Sequence, residues 1–158
     1  MKKIPVTAII VVAIVVIFAG IIFYLSNNRA PTSYEKMSSR ELATLCLPME
    51  GQVMHIHSHL TIIIAKQAIT LPAEIGVSSL KGCMNSLHTH DASGIIHVES
   101  PAQKDYTIGD FFAVWGMALS KDQVLTNKVD AEHALKFYVD GKESMEFENL
   151  VILSLIEN

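Results

Sequence analysis

Closely spaced histidines are the clearest candidate functional residues of this chain. Six of its seven histidines fall between positions 55 and 97, most of them in the runs HIHSH and LHTH. A neutral imidazole is the commonest metal ligand near physiological pH. We therefore predict a metal site, and its candidate ligands are His55, His57, His59, His88, His90 and His97.

The spacing of these histidines suits ligands on β-strands. Side chains at positions i and i+2 point the same way with Cα atoms roughly 6.8 Å apart, so two rings can converge on an ion at about 2.0 to 2.1 Å. His55 and His59 would be about 13 to 14 Å apart at Cα, too far for His55, His57 and His59 to share one ion. We expect two histidines for each metal, or two adjacent sites.

Two carboxylates accompany the histidines. Glu99 shares a predicted strand face with His97, so it can be a further ligand or can orient the ring, and Asp91 beside His90 can also orient a ring. His133 stands apart, and we assign it a structural role. Two alternatives to metal binding stay open: polar histidines on a solvated or hydrogen-bonded sheet face, and a cluster that opens an interface when protonated.

Cys46 and Cys83 bracket the first histidine run. In an exported domain they can form a disulfide that ties the preceding helix to the loop carrying His88 and His90. Ligation of a metal by one or both cysteines and two free thiols are the alternatives.

The donor types favour copper, with zinc as the alternative. Copper accepts imidazole as Cu(II) and thiolate or thioether as Cu(I), whereas zinc with three histidines and water is a catalytic arrangement. The sulfur donors near the histidines are Cys46, Met49, Met54, Cys83 and Met84. Met54 lies on the strand face opposite His55, where packing in the core is its expected role.

An apolar segment precedes the histidine-rich part. Residues 4–25 are 22 residues without a charge, and a helix of that length spans roughly 33 Å, enough to cross a membrane. Lys2 and Lys3 favour a cytoplasmic N-terminus. We predict a single transmembrane anchor at residues 1–25, a linker at 26–37 and an extracytoplasmic domain at 38–158. A cleaved signal peptide is the alternative, and it exports the same domain.

Composition and charge exclude several classes of protein. The chain has 158 residues, two cysteines and a mean hydropathy of +0.34, which excludes collagen-like, disordered and disulfide-dense proteins. All 16 acidic residues but only 9 of the 12 basic residues follow residue 30, which leaves a net charge of −7 there. This charge argues against a nucleic-acid partner.

The pattern of apolar residues after the linker predicts a single α+β domain. The predicted elements are a helix from Ser38 or Ser39 to about Leu45, strands at 53–64 and 68–71, a loop-like stretch at 76–94, a strand at 94–99, a helix capped by Thr107 and Asp110 and ended by Gly116, and strands at 135–139, 144–147 and 150–156. This order indicates a small β-rich fold with one packed helix, in a β-grasp-like layout.

Three motifs carry a resemblance. HIHSHL is followed by LHTHDASGIIHVESP at residues 87–101 and by YTIGDFFAVWG at 106–116. Over residues 53–116 the chain resembles exported or membrane-anchored bacterial and archaeal proteins that have no established activity. The resemblance implies one site for the three histidine segments and implies no cofactor or substrate.

These observations lead to one preferred function and two alternatives. The preferred function is a membrane-tethered extracytoplasmic protein that captures, stores or delivers copper. The first alternative is a zinc-dependent hydrolase with Glu99 or Asp91 as general base, which is less favoured because no catalytic motif is recognised. The second is an accessory subunit with a structural metal, docked on a membrane or extracytoplasmic protein.

Overall fold

The chain divides into two units, Met1–Thr32 and Ser33–Asn158. The computed structural model describes residues 6–27 and 32–152. In the first unit it shows helix α1 (Val6–Asn27), whose side chains are exposed over residues 10–25. Across the described residues, no helix qualifies as a membrane span by length and apolar character. The anchor at residues 1–25 therefore stays a prediction.

The second unit is an α+β fold with few helices and several small sheets, as the sequence predicted. Its described helices are α2 (Ser33–Lys36), α3 (Ser39–Thr44) and α4 (Ile108–Trp115), with a 3-10 turn at Phe147–Asn149. Its described strands are β1 (Met54–His59), β2 (Ile62–Ile64), β3 (Gln67–Ile69), β4 (Val77–Ser78), β5 (Cys83–Met84), β6 (Leu87–His88), β7 (Ile95–Ser100), β8 (Leu119–Ser120), β9 (Gln123–Val124), β10 (Asn127–Lys128), β11 (Phe137–Val139) and β12 (Lys142–Ser144).

The strands do not join into the single sheet that a β-grasp-like layout implies. Within the described residues they form five sheets, ordered β1-β7-β6, β10-β9-β8, β11-β12, β2-β3 and β4-β5. The strand predicted at 53–64 is divided into β1 and β2. The pairing of β1 with β7 extends to Leu60, whose backbone N–H donates to the carbonyl of Gly94 at 2.9 Å, and β2 then pairs with β3 instead of β7. Positive φ angles at Ala65 and Lys66 then close a separate β2-β3 hairpin.

The β1-β7-β6 sheet presents one face to the core. Met54, Leu87, Ile96 and Val98 point into this core and are 7% exposed or less. Since side chains alternate between the two faces of a strand, the residues between them lie on the other face. Burial of the apolar set thus fixes which face carries the polar residues.

Both predicted helices of the second unit are present with their caps. Ser38 caps α3 and Thr107 caps α4, each in a capping box, and Gly116 ends α4 in the left-handed region at φ 73°. On α4, Phe111 is fully buried and packs in the core, whereas Trp115 is only half-buried at its edge. The predicted helix face is therefore core for most of its length.

Several short elements lie where none was predicted. The stretch predicted as a loop at 76–94 contains β4, β5 and β6, the predicted linker contains α2, and residues 119–128 form the β8-β9-β10 sheet. Two-residue strands are too short to show an alternating pattern, which is why the sequence did not reveal them. Of the last predicted strand, residues 153–156 lie outside the described residues, and Val151 forms a single bridge to Thr107.

Candidate metal centre

The polar face of the β1-β7-β6 sheet brings the histidine segments together. The strand register places His57 opposite His97 and His55 opposite Glu99. On the other side of β7, His88 also lies opposite His97. Opposed residues of an antiparallel pair have Cβ atoms about 4.5 to 5.5 Å apart. Three strands therefore contribute to one patch of imidazole rings.

Five of the six predicted histidines, together with Glu99, form two overlapping groups that could hold a metal ion. In each group, one ligand atom from every residue lies within 4.8 Å of the others. The first group is His55, His57, His97 and Glu99. The second group is His88, His90, His97 and Glu99. The two groups share His97 and Glu99, and each adds its own pair of histidines.

Each histidine pair already has its nitrogens at ligand spacing. The Nε2 atoms of His55 and His57 are 3.1 Å apart, and those of His88 and His90 are 3.2 Å apart. Two nitrogens bound at about 2.0 to 2.1 Å to a tetrahedral ion are themselves about 3.3 Å apart. Either pair could therefore chelate an ion with little rearrangement.

The His88 ring is held in one orientation. It is fully buried, and its Nδ1 donates to the backbone carbonyl of Asn85 at 3.0 Å, which leaves the lone pair on the Nε2 that faces the cluster. Thr89, also buried, points away and donates its hydroxyl to the carbonyl of Pro72 at 3.0 Å, and it accepts from the N–H of Ile75. The segment that carries His88 is thus fastened to the core.

Glu99 is the buried carboxyl group between the two groups of histidines. Its side chain is 7% exposed, and its Oε1 lies 3.3 Å from Nε2 of His55 and 3.8 Å from Nδ1 of His97. Its Oε2 lies 3.8 Å from Nε2 of His88. In the described part of the chain, Glu99 Oε2 and His97 Nδ1 are buried without a hydrogen-bond partner. Such groups cost free energy unless they are satisfied, and a bound cation would satisfy both.

Burial keeps two of the rings in the neutral form that a metal requires. Desolvation lowers the pKa of His88, and the Asn85 carbonyl and Glu99 oppose this effect. Desolvation also lowers the pKa of His97, and the neighbouring His90 ring adds to the effect. These two imidazoles therefore stay metal-competent at a lower pH than a free imidazole would.

The lowered pKa values of His88 and His97 make the metal-free fold sensitive to acid. Both pKa values lie below the unfolded value of 6.5, so the unfolded chain binds more protons, and stability falls as the pH drops below about 6.5. We expect the urea midpoint of the metal-free protein to fall between pH 7.5 and pH 5 and to be level above pH 7.5. In the variant His97→Asn the urea midpoint should fall less over the same pH range. A wild-type midpoint that rises on acidification would contradict the prediction.

His59 is the predicted ligand that lies outside both groups. It is the last residue of β1, opposite Ile95 instead of a polar residue, and its Nε2 lies 3.1 Å from the carbonyl oxygen of Ser93. The ring of His59 therefore lies away from Glu99 and near the turn that precedes β7.

Asp91 and His133 have local roles in the structure. Asp91 accepts from the backbone N–H of Ser93 at 2.9 Å, and its hydrogen bonds with Ser93 lower its pKa. It therefore organises the turn before β7 and belongs to neither group. His133 is exposed and lies 2.8 Å from Oδ1 of Asp130, in keeping with the structural role assigned to it.

Cys46 and Cys83 form a disulfide, with Cα atoms 5.4 Å apart. Neither is a free thiol, so the alternatives of thiolate ligation and free thiols do not hold in this structure. Beside the disulfide, Leu47 and Met84 exchange two backbone hydrogen bonds of 2.7 and 2.9 Å. These links join the chain after α3 to the segment that leads directly into His88.

Sequence reasoning missed two positions that shape the site. The carbonyl of Asn85 orients His88, and a backbone acceptor leaves no signal in the sequence. Gly94 has φ 88°, and a Cβ there would lie 2.7 Å from the carbonyl oxygen of Leu60 and 3.2 Å from Nε2 of His59. The glycine of the GIIHVE motif was the available signal, because a conformation with positive φ and so close an approach favours glycine.

Comparison of the chain with protein-family models, with curated proteins and with solved structures finds no match. What the site can do therefore follows from its own geometry. That geometry is a partly buried set of five imidazoles and one carboxylate, arranged in two groups that could hold a metal ion.

Proposed function

We propose that this protein is a metal-binding protein whose function is to capture, hold or deliver a transition metal ion through the polar face of its central sheet. The observation that carries the proposal is the buried Glu99 carboxylate, which is surrounded by histidine nitrogens and has an oxygen without a hydrogen-bond partner in the described part of the chain. Five imidazoles and one carboxylate make a set that a cation would complete.

The donor set supports copper as Cu(II), with zinc as the competitor. The disulfide removes both thiols, Met54 is buried in the core, and Met49 is 72% exposed. The two groups themselves consist of nitrogen and oxygen donors, which Cu(II) accepts. Among divalent ions, Cu(II) binds such donors more tightly than Zn(II).

We propose that the metal-binding unit lies outside the cytoplasm and is tethered by residues 1–25. The support comes from the sequence, with 22 uncharged residues behind two lysines, and from the disulfide, which suits an oxidising compartment. Alkaline extraction of membranes from cells that express the full chain tests the tether. Retention in the membrane pellet is the expected result, and release would contradict it.

Elemental analysis under competition tests the metal-binding proposal. The full chain, purified in mild detergent without a His tag, is equilibrated with limiting Cu(II) and Zn(II) and then desalted against a chelator. We expect stoichiometric copper to be retained. Retained zinc alone would overturn the copper assignment, and retention of neither metal would overturn the proposed function.

A further inference from the structure

The overlap of the two groups points to a pair of ions. We propose that one ion binds between His55 and His57 and a second between His88 and His90, with the Glu99 carboxylate bridging them. This inference rests on the proposed metal-binding function. It adds the number of ions and the identity of the shared ligand.

A single ion cannot take all of these donors. Ligands on opposite sides of a six-coordinate ion with bonds of about 2.1 Å are about 4.2 Å apart. The two histidine pairs do not fall in one group of atoms within 4.8 Å, so at least one distance between the pairs exceeds what one ion can span. Two ions avoid this conflict, because each pair has its own nitrogens at 3.1 or 3.2 Å.

The orientation of Glu99 suits a bridge. Its Oε1 faces His55 at 3.3 Å, and its Oε2 faces His88 at 3.8 Å. Each oxygen thus lies toward a different histidine pair. Ions in two-metal sites are about 3.5 to 4 Å apart, a separation that the two oxygens of one carboxylate can serve. Oε2, which is buried without a hydrogen-bond partner among the described residues, is the oxygen available to the second ion.

His97 lies between the two pairs. Its ring centre is 4.5 Å from that of His57 and 4.4 Å from that of His90. Its buried Nδ1 has no hydrogen-bond partner among the described residues. It is therefore placed to complete the ligand set of either ion, and a neutral ring can serve one ion at a time.

Nearby acidic groups reduce the repulsion between two cations. Glu50 interacts electrostatically with His88, and Asp91 interacts with His97 and His90. Both carboxylates lie outside the two groups, so they are free to stabilise added positive charge without being ligands. The net negative charge of residues 31–158 also reduces the repulsion between two bound cations.

The test uses Cu(II) as the probe and the full chain in detergent. After saturation and desalting, we expect two equivalents of copper in the wild type, with a paramagnetic resonance spectrum that lacks the signal of isolated Cu(II). The variant His55→Ala/His57→Ala should retain one equivalent and show the isolated signal. Glu99→Gln should retain no more than one, because the neutral amide offers a single ligand oxygen.

The matched control is His59→Ala/His133→Ala, which removes two histidines outside the groups and should retain two equivalents. One equivalent in the wild type, or two with isolated signals, would overturn the bridged pair and leave the proposed function standing. Binding of no copper by the wild type would overturn the copper pair and the copper assignment, and binding of neither copper nor zinc would overturn the proposed function itself.

Discussion

Replacing His57 and His90 together by alanine should reduce metal affinity by more than about 100-fold, enough for a chelator to strip the protein. Each substitution removes one nitrogen from one close pair, so neither group keeps its two Nε2 atoms at 3.1 or 3.2 Å, and each is left with one histidine of its own beside the shared His97 and Glu99. Loss of an outer-shell partner alone typically costs 10- to 100-fold, and loss of a direct ligand from each group should cost more. Elemental analysis after chelator treatment is the measurement.

The fold should survive this double substitution. Both side chains are exposed, and substitutions at such positions usually change the free energy of unfolding by less than about 0.5 kcal/mol. The metal-free variant should therefore keep the urea midpoint of the metal-free wild type. His59→Ala/His133→Ala is the control with equal histidine content, and it should retain metal. Unchanged metal in the His57→Ala/His90→Ala protein would refute the location of the site.

Removing the disulfide with Cys46→Ser/Cys83→Ser should lower the free energy of unfolding by about 4 kcal/mol. The bond closes a loop with a sequence separation of 37, and in the chain-entropy account the loss of such a loop constraint has about this magnitude. Urea unfolding of the metal-free protein measures it. Adding a reductant should lower the urea midpoint of the wild type and leave the urea midpoint of the variant unchanged.

The disulfide variant should also hold metal less well. The disulfide lies beside the Leu47–Met84 backbone pair. Met84 directly precedes Asn85, whose carbonyl orients His88. Greater freedom of that segment lets the His88 ring leave its ligand position, which raises the entropic cost of binding. If the variant lost less than about 1 kcal/mol of unfolding free energy, packing around Leu47 would suffice to hold this segment without the covalent link.

Local patterns in the sequence predicted the parts of the fold that depend on neighbouring residues. Ser38 and Thr107 begin helices because their side chains accept from backbone N–H groups three residues on, and Gly116 ends α4 because it tolerates a positive φ. The shared face of His55 and His57, and that of His97 and Glu99, followed from the alternation of strand side chains.

The register between strands could not be predicted from the sequence. The pairing of His57 with His97 depends on how residues 40 positions apart align, and a shift of one residue would move every histidine of β1 to the opposite face. His88 was predicted on a loop, because β6 has only two residues and is recognised by its pairing with β7. The role of Glu99 between both groups is a product of that register.

If the proposed site binds metal, its assembly from three strands couples metal binding to folding. An unfolded chain keeps His55 and Glu99 apart along the sequence, so the ligand set exists only once β1, β6 and β7 have paired. An ion that binds only the native state adds to its stability, by about 2.7 kcal/mol when free metal exceeds the dissociation constant 100-fold. The folded fraction of the protein would then rise with the concentration of free metal around it.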